Sequence, residues 1–253
     1  MVSSCILIPA RLNSSRLENK LLLKINKFNA IQNTYLQCIK SMVDYICVIT
    51  DSQLIYNSIQ EINGNCIIIN KEYTNGTERI ADALQFIDKK FDIIINVQGD
   101  QLFINPKHIN EGLISFKKYY SMCEYPYQTL YYSEIINNND LDTSKVKLVL
   151  NNNKDIIYYS RNNIPYNYNQ DHKNILLNIS VGVYYFTPKS LLHYNKLPQT
   201  SLQSIENIEQ LKIIENSLVL KGIKIKKINK NDFFDLNTKK DYINILNEVN
   251  QSI

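Results

Sequence analysis

The feature that most constrains this chain is an alternation. Short apolar runs rich in β-branched residues, at 5–8, 45–50, 66–69 and 93–97, are separated by helix-length segments at 30–42, 53–62 and 77–89 whose apolar residues recur at three and four. A strand buried on both faces reads as a near-continuous apolar run, and strand alternating with helix builds a parallel sheet with helices on its faces. In open sheets of this kind ligands sit beyond the carboxyl ends of the strands. The first, second and fourth runs each end there in a polar signature: Pro9-Ala10-Arg11, Thr50-Asp51 and Gln98-Gly99-Asp100. Three strands thus aim chemistry at one crevice.

After about residue 120 the pattern turns strand-rich, with runs at 147–150, 156–160 and 179–186. A helix over 205–216, a basic strand over 222–230 and a closing helix over 238–250 are expected to follow. The whole chain, 1–253, reads as a single α/β domain in which about 121–203 form an extension that covers the crevice and carries a dimer contact. Asn-rich stretches at 137–139, 151–153 and 166–170 read as loops.

Composition excludes several classes. Hydrophobic residues at 44%, charged residues at 21% and only six each of Gly and Pro rule out a collagen-like or disordered chain. A net charge of +4 is too small an excess to imply a nucleic-acid footprint; the one dense basic run, Lys224, Lys226, Lys227 and Lys230, has little aromatic interleaving. Cys5, Cys38, Cys47, Cys66 and Cys123 are odd in number, widely spaced and mostly set in apolar surroundings, so they read as buried thiols of a reducing compartment. No CxxC pair exists, and His108, His172 and His193 lie far apart, which argues against zinc. The first apolar run, interrupted by Ser3-Ser4 and stopped at Pro9, reads as a strand and not a signal peptide, and no stretch approaches the ~20 apolar residues of a membrane span. These readings place the protein in the cytoplasm, with no membrane and no nucleic-acid partner.

The sharpest segment follows the first strand. Residues 9–20, PARLNSSRLENK, set Arg11, Arg16 and Lys20 within ten positions on a loop. Guanidinium groups and a lysine there would neutralise phosphate oxygens and the charge that develops on departing pyrophosphate. An ordinary exposed basic loop fits the same residues, and the segment lacks the glycine pattern of a P-loop or a dinucleotide fold.

At this point the sequence resembles a known family, the 3-deoxy-manno-octulosonate cytidylyltransferases, whose nucleotide-binding loop reads PARxxSxRLPGK. The resemblance continues in order through Thr50-Asp51, Asn75-Gly76-Thr77-Glu78-Arg79, Asn96-Val97-Gln98-Gly99-Asp100, Val146-Lys147, the YSRNNIP segment at 159–165 and the IENIEQL segment at 205–211. It implies a Rossmann-like nucleotidyltransferase fold with a mostly parallel central sheet and a smaller β-rich extension. It also implies a homodimer that transfers CMP from CTP to Kdo with Mg²⁺, for lipopolysaccharide or capsule synthesis. Other acidic acceptors, such as 8-amino-Kdo, a nonulosonic acid or a phosphonate, and a non-catalytic nucleotide-binding relative are the alternatives.

Carried over by position, the resemblance implies that Pro9, Ala10, Arg11, Arg16, Lys20, Asn75, Thr77 and Arg79 bind the nucleotide. Arg11, Lys20 and Asp100 would act in catalysis, and Asp100, Asp235 and Asn237 would meet the metal. Gln98, Arg161, Ser180, Tyr184, Glu209 and Gln210 would line the sugar pocket, with Arg161 a partner for an anionic group. Each has a plainer reading: Arg79 as a surface pair with Asp82 or Glu78, Asp100 as a helix cap, Glu206 equally as a solvated helix face.

The departures matter too. The family's RLPGK is Arg16-Leu17-Glu18-Asn19-Lys20, where Asn is expected to adopt the left-handed conformation that Gly favours. QGDEP becomes Gln98-Gly99-Asp100-Gln101-Leu102, the strand histidine becomes Ser180, and a metal aspartate becomes Asn237. Asp235, two residues earlier in an extended segment, is expected to substitute for it.

Overall fold

A computed structural model describes residues 2–14, 16–137, 140–168, 174–229 and 231–250. The chain divides into two compact units, Met1–Glu111 with Lys227–Ile253 and Gly112–Lys226. The expected extension over 121–203 lies wholly inside the second.

In the first unit β1 (Ser4–Ala10), α1 (Ala30–Cys38), β2 (Tyr45–Thr50), α2 (Gln53–Gln60), β3 (Cys66–Ile68), α3 (Gly76–Ala83) and β4 (Ile93–Val97) alternate as the periodicity predicts. The strands run in the order β3-β2-β1-β4 and every pairing is parallel, with Cys5 of β1 opposite both Tyr45 and Ile94. β1 and β4 are buried at every position, as strands covered on both faces must be. The helices start where side-chain caps dictate: Asn29, Ser52 and Asn75 accept from the backbone N–H of Gln32, Ile55 and Glu78. Three helices are shorter than expected, α2 by ending at Gln60. α1 stops at Cys38, whose carbonyl accepts from the Ser41 hydroxyl, and α3 tightens at once into a 3₁₀ turn over Leu84–Phe86.

The division between units falls within α4 (Pro106–Tyr119). The second unit then contains β5 (Tyr127–Asn137), β6 (Lys147–Leu150), β7 (Ile156–Ser160), β8 (Asn174–Phe186), α5 (Pro188–Lys196), α6 (Ser201–Glu206), α7 (Leu211–Glu215) and β9 (Leu220–Lys224). β8 lies antiparallel to β5 and β6, β7 antiparallel to β6, and β9 parallel to β5.

Four expectations need correction here. The helix over 205–216 is two helices, because Asn207 turns left-handed at φ 52, ψ 52 and ends α6, while Thr200 moves the start back to Ser201. The basic strand over 222–230 is β9, which begins at Leu220 and stops at Lys224, since its ladder on β5 runs out at Tyr131. Lys226 and Lys227 beyond it are exposed, and Lys230 lies outside the described residues. β8 begins five residues before 179, and Asn137 belongs to β5 and not to a loop. Asn138, Asn139, Asn169, Gln170 and His172 lie outside the described residues.

α8 (Lys239–Asn250) returns the chain to the first unit. There Leu236 just before it packs with Ile25, Ala30, Leu102 and Ile245 in one buried cluster. That cluster holds together the loop after β1, the loop after β4 and the lead-in to α8. Of the cysteines, Cys5, Cys38 and Cys47 are buried and Cys66 is half-buried, but Cys123 is exposed, a correction to the reading of all five as buried. Burial pushes the Cys47 thiol up to about 11.

Candidate active site

Because β1, β2 and β4 are parallel neighbours, Ala10, Thr50 and Val97 end at one edge of the first unit's sheet. A cleft of about 190 Å³ opens there. The loop after β1 lines it with Arg11, Ser14, Arg16 and Lys20, the loop after β4 with Gln98, Gly99 and Asp100, and the lead-in to α8 with Asn237. Pro9 closes the wall from the strand itself.

The loop geometry explains this convergence. Asn19 sits at φ 49, ψ 30, the left-handed conformation expected of it, and starts a 3₁₀ turn over Lys20–Leu22. Leu21, 3% exposed, anchors that turn in the core and leaves Lys20 facing the cleft. Two glycines allow close approach: a Cβ on Gly99 would stand 3.1 Å from the Pro9 carbonyl oxygen, and one on Gly76 would stand 2.9 Å from Pro9 Cγ and 3.0 Å from Gln98 Nε2. The first turn of α3 therefore abuts the ends of β1 and β4.

Lys20 Nζ donates to Asp100 Oδ2 at 2.6 Å, with 18% and 21% of the two side chains exposed. Arg16 Nη2 donates to Asn237 Oδ1 at 3.1 Å. Gln101 Nε2 donates to Asp235 Oδ1 at 2.6 Å. Arg11 and Arg16 are themselves exposed.

Ala10, Asn75, Thr77, Arg79 and Asp235 do not line this cleft. Ala10 is buried at the end of β1. Asn75 caps α3, and Thr77 Oγ1 accepts from Asn96 Nδ2 at 3.1 Å. Arg79 is no surface residue: it is 5% exposed, its Nη2 meets Asp51 Oδ2 at 2.5 Å, and its guanidinium lies 5.0 Å from the centroid of the Tyr73 ring. Asp82 pairs instead with Tyr73 and Lys71, and chiefly the Tyr73 hydroxyl holds its carboxyl below the ordinary range.

Arg161, Ser180, Tyr184, Glu209 and Gln210 all belong to the second unit. The Arg161 guanidinium serves main-chain carbonyls: Nε donates to Glu206 O at 2.8 Å, Nη1 to Thr143 O at 2.9 Å and Nη2 to Asn207 O at 3.0 Å. Glu206 is no free helix face, since its carboxylate accepts from Ser160 Oγ at 2.7 Å and from Arg161 N at 2.9 Å. Burial would raise its pKa, but these hydrogen bonds outweigh burial and hold it below the ordinary range. Lys147, 1% exposed, donates to the carbonyls of Asp142, Lys145 and Arg161, and burial lowers its pKa. Ser180 and Tyr184 lie on β8, and Gln210 Nε2 donates to Glu209 Oε1 at 3.2 Å.

Residues 5–228 match the profile of a family described as Cytidylyltransferase. The chain belongs to the cytidylyltransferase family. It is similar, at 36% identity over 217 residues and 85% of each chain, to a 3-deoxy-manno-octulosonate cytidylyltransferase of Fusobacterium nucleatum. It is 33% identical over 219 residues, 85% of this chain and 87% of the relative, to an 8-amino-3,8-dideoxy-manno-octulosonate cytidylyltransferase of a Shewanella species. Among solved structures it resembles a CMP:2-keto-3-deoxy-manno-octonic acid synthetase complexed with CTP, with a TM-score of 0.86 and 26% identity over 99% of this chain and 100% of that one. The expected mixed α/β nucleotidyltransferase fold is therefore this chain's fold.

In this cytidylyltransferase the donor set of the cleft suits a hard divalent ion. Mg²⁺ takes oxygen ligands, often one or two protein groups plus substrate phosphates, and the Asp100 carboxylate and Asn237 amide oxygen line the same cleft. Sequence reasoning overlooked Ser14, although it occupies the serine of the PARxxSxR pattern, and overlooked Asp51 as the partner of Arg79. It also passed over the Gln101–Asp235 bond, for which no local signal exists.

Proposed function

We propose that the protein transfers CMP from CTP to Kdo, releasing pyrophosphate, and that it works in the cytoplasm to supply lipopolysaccharide or capsule synthesis. The observation that carries this reading is the convergence of Arg11, Arg16, Lys20 and Asp100 on one cleft at the carboxyl ends of β1 and β4. An exposed basic loop would scatter its cations; here three of them line one cleft with a carboxylate, and Lys20 Nζ bonds it at 2.6 Å.

Arg11, Arg16 and Lys20 would hold the triphosphate and neutralise the charge that moves onto pyrophosphate as the bond to the α-phosphate breaks. Ala10, at the end of β1, would meet the base through its backbone, with Asn75, Thr77 and Arg79 forming the wall behind. Arg79 keeps that wall in place through Asp51. Asp100 and Asn237 would hold Mg²⁺, which when bound neutralises phosphate charge. The anomeric hydroxyl of the sugar attacks the α-phosphate in line, so positioning carries much of the rate.

Gln98, which lines the first unit's cleft, would face the sugar there; Ser180, Tyr184, Glu209 and Gln210 of the second unit carry hydroxyl, amide and carboxylate groups of the kind a sugar meets. Arg161 would serve that pocket by fixing the chain around residue 160. No helix among the described residues is long and apolar enough to cross a membrane. We further propose a homodimer: Ile135 and Leu176, directly paired across β5 and β8, are 70% and 60% exposed, and a second copy would cover them.

The Shewanella relative supports a second reading, in which the acceptor is the 8-amino sugar. Pyrophosphate release from CTP with Kdo, 8-amino-Kdo and a nonulosonic acid tests both. The proposal expects the highest kcat/KM for Kdo; preference for the amino sugar supports the second reading, and no release with any of the three contradicts both.

A further inference from the structure

The cleft is more positive than a metal site that must fill by itself. Arg11, Arg16 and Lys20 face a single carboxylate, Asp100, so three formal positive charges meet one negative and two remain. Asp100 is also capped, because Lys20 Nζ lies 2.6 Å from its Oδ2. Asn237 contributes an amide where a carboxylate would add charge, and Arg16 already donates to its oxygen. Asp235 does not line the cleft, and its Oδ1 accepts from Gln101. Among the described residues no group of three or more His, Cys, Asp or Glu is placed to hold an ion. A dication arriving alone would meet the repulsion of three cations and gain one occupied carboxylate.

A triphosphate reverses each of these terms. A fully ionised nucleoside triphosphate with one divalent ion carries two net negative charges, which match the excess of the cleft. Its oxygens compete with Asp100 for Lys20 Nζ and with Asn237 for Arg16, since a triphosphate offers the lysine several charged oxygens at once and offers Arg16 a charged acceptor in place of a neutral amide. The carboxylate and the amide oxygen are then released toward the ion.

We infer that Lys20 and Arg16 latch the two metal-facing side chains, Asp100 and Asn237, until the nucleotide arrives, so that the divalent ion enters only as its nucleoside triphosphate complex. Asn237 is the residue that sets this order. The inference rests on the CTP reading above and deepens it; an aspartate at position 237 would lower the charge excess and give the ion a ligand of its own.

The test is a titration of the full chain with Mn²⁺ alone, read by the loss of the free-ion electron paramagnetic resonance signal. It is repeated with CTP and no acceptor, and read by water proton relaxation to separate the ternary complex from Mn²⁺–CTP in solution. CTP binding in EDTA is measured by calorimetry, and circular dichroism checks the fold of each variant. The wild type is expected to bind Mn²⁺ no better than about millimolar without nucleotide, the weak end of oxygen-ligand sites. Asn237→Asp should bind it at least roughly tenfold tighter, as much as a change in metal surroundings commonly brings. Lys20→Met should also gain Mn²⁺ binding, because it uncaps Asp100, while its CTP affinity falls. Micromolar, stoichiometric Mn²⁺ binding by the nucleotide-free wild type overturns the inference and leaves the CTP reading intact, as does a metal affinity that neither variant changes. Absence of CTP binding with and without Mn²⁺ overturns the CTP reading itself, and the inference with it.

Discussion

Lys20 Nζ and Asp100 Oδ2 stand 2.6 Å apart although 80 residues separate them in sequence. The pairing follows from strand order: β1 and β4 are parallel neighbours, so the loops that leave their carboxyl ends must share an edge. Asn19 then supplies the left-handed turn that aims the lysine, and Gly99 lets the β4 loop pass close to the Pro9 carbonyl.

If these two side chains act on the triphosphate and its metal, each is needed for turnover. Lys20→Ala and Asp100→Asn are each expected to lower kcat by about 100- to 1,000-fold, the usual loss when one preorganised charge-stabilising group is removed. Steady-state pyrophosphate release checks this, with circular dichroism to confirm the fold.

Leu236 is fully buried in the cluster that also contains Leu102 and Ile25. Leu236→Ala is expected to cost about 2–5 kcal/mol of stability and to raise KM for CTP, because the same cluster holds the loops that line the cleft. Urea denaturation and KM measured on one preparation test the two effects together; a destabilised variant with unchanged KM would separate the core from the site.

Glu206 sets a pH dependence for the second unit. Its folded pKa lies below the ordinary 4.5 despite burial, held down by the bonds from Arg161 N, Ser160 and Tyr158. A depressed carboxyl contributes stability that is present above its unfolded pKa and is lost as pH falls through the folded one. The difference in urea midpoint between wild type and Glu206→Gln should be largest at neutral pH and shrink as pH drops below about 4.5. A difference independent of pH would remove this role.

Thiol exposure is uneven. Cys123 is exposed, Cys66 is half-buried, and burial pushes the Cys66 thiol up to about 12. Native protein treated with a chromogenic disulfide reagent should react rapidly at one thiol, Cys123, and at all five only after unfolding. Loss of the rapid phase in Cys123→Ser identifies it.

Gly112 in α4 has no room for a side chain, since a Cβ there would come within 2.2 Å of the Tyr185 hydroxyl oxygen and 2.4 Å of Cζ. Gly112→Ala should therefore destabilise the protein by about 1–3 kcal/mol, against the gain that alanine ordinarily brings to a helix. Thermal denaturation distinguishes the two signs.

That glycine also shows where the sequence stops being legible. α4 is not legible in the sequence because Gly112 and the neighbouring Asn110 weaken the helical signal, and Gly112 makes room for a tyrosine 73 positions away that no local pattern reveals. β1, β2 and β4 were plain, since strands buried on both faces must be apolar throughout, and their polar ends marked the cleft. Asn19 could be read as a turn because few residues tolerate its conformation. Arg79 and Arg161 could be read only as cations. Whether a cation lines an open cleft, as Arg16 does, or ties down carbonyls, as Arg161 does, depends on which chain segments converge on it. The Gln101–Asp235 bond spans 134 positions and exists only because Leu102 and Leu236 pack in one cluster.

The most direct test of the account is a ³¹P nuclear magnetic resonance time course of CTP, Mg²⁺ and Kdo with the wild-type protein and with Lys20→Ala. The account predicts that the wild type converts the triphosphate signals into one phosphodiester and one pyrophosphate in equal amounts, and that Lys20→Ala leaves CTP intact over the same period. CTP unchanged by the wild type, or conversion at the same rate by Lys20→Ala, would contradict it.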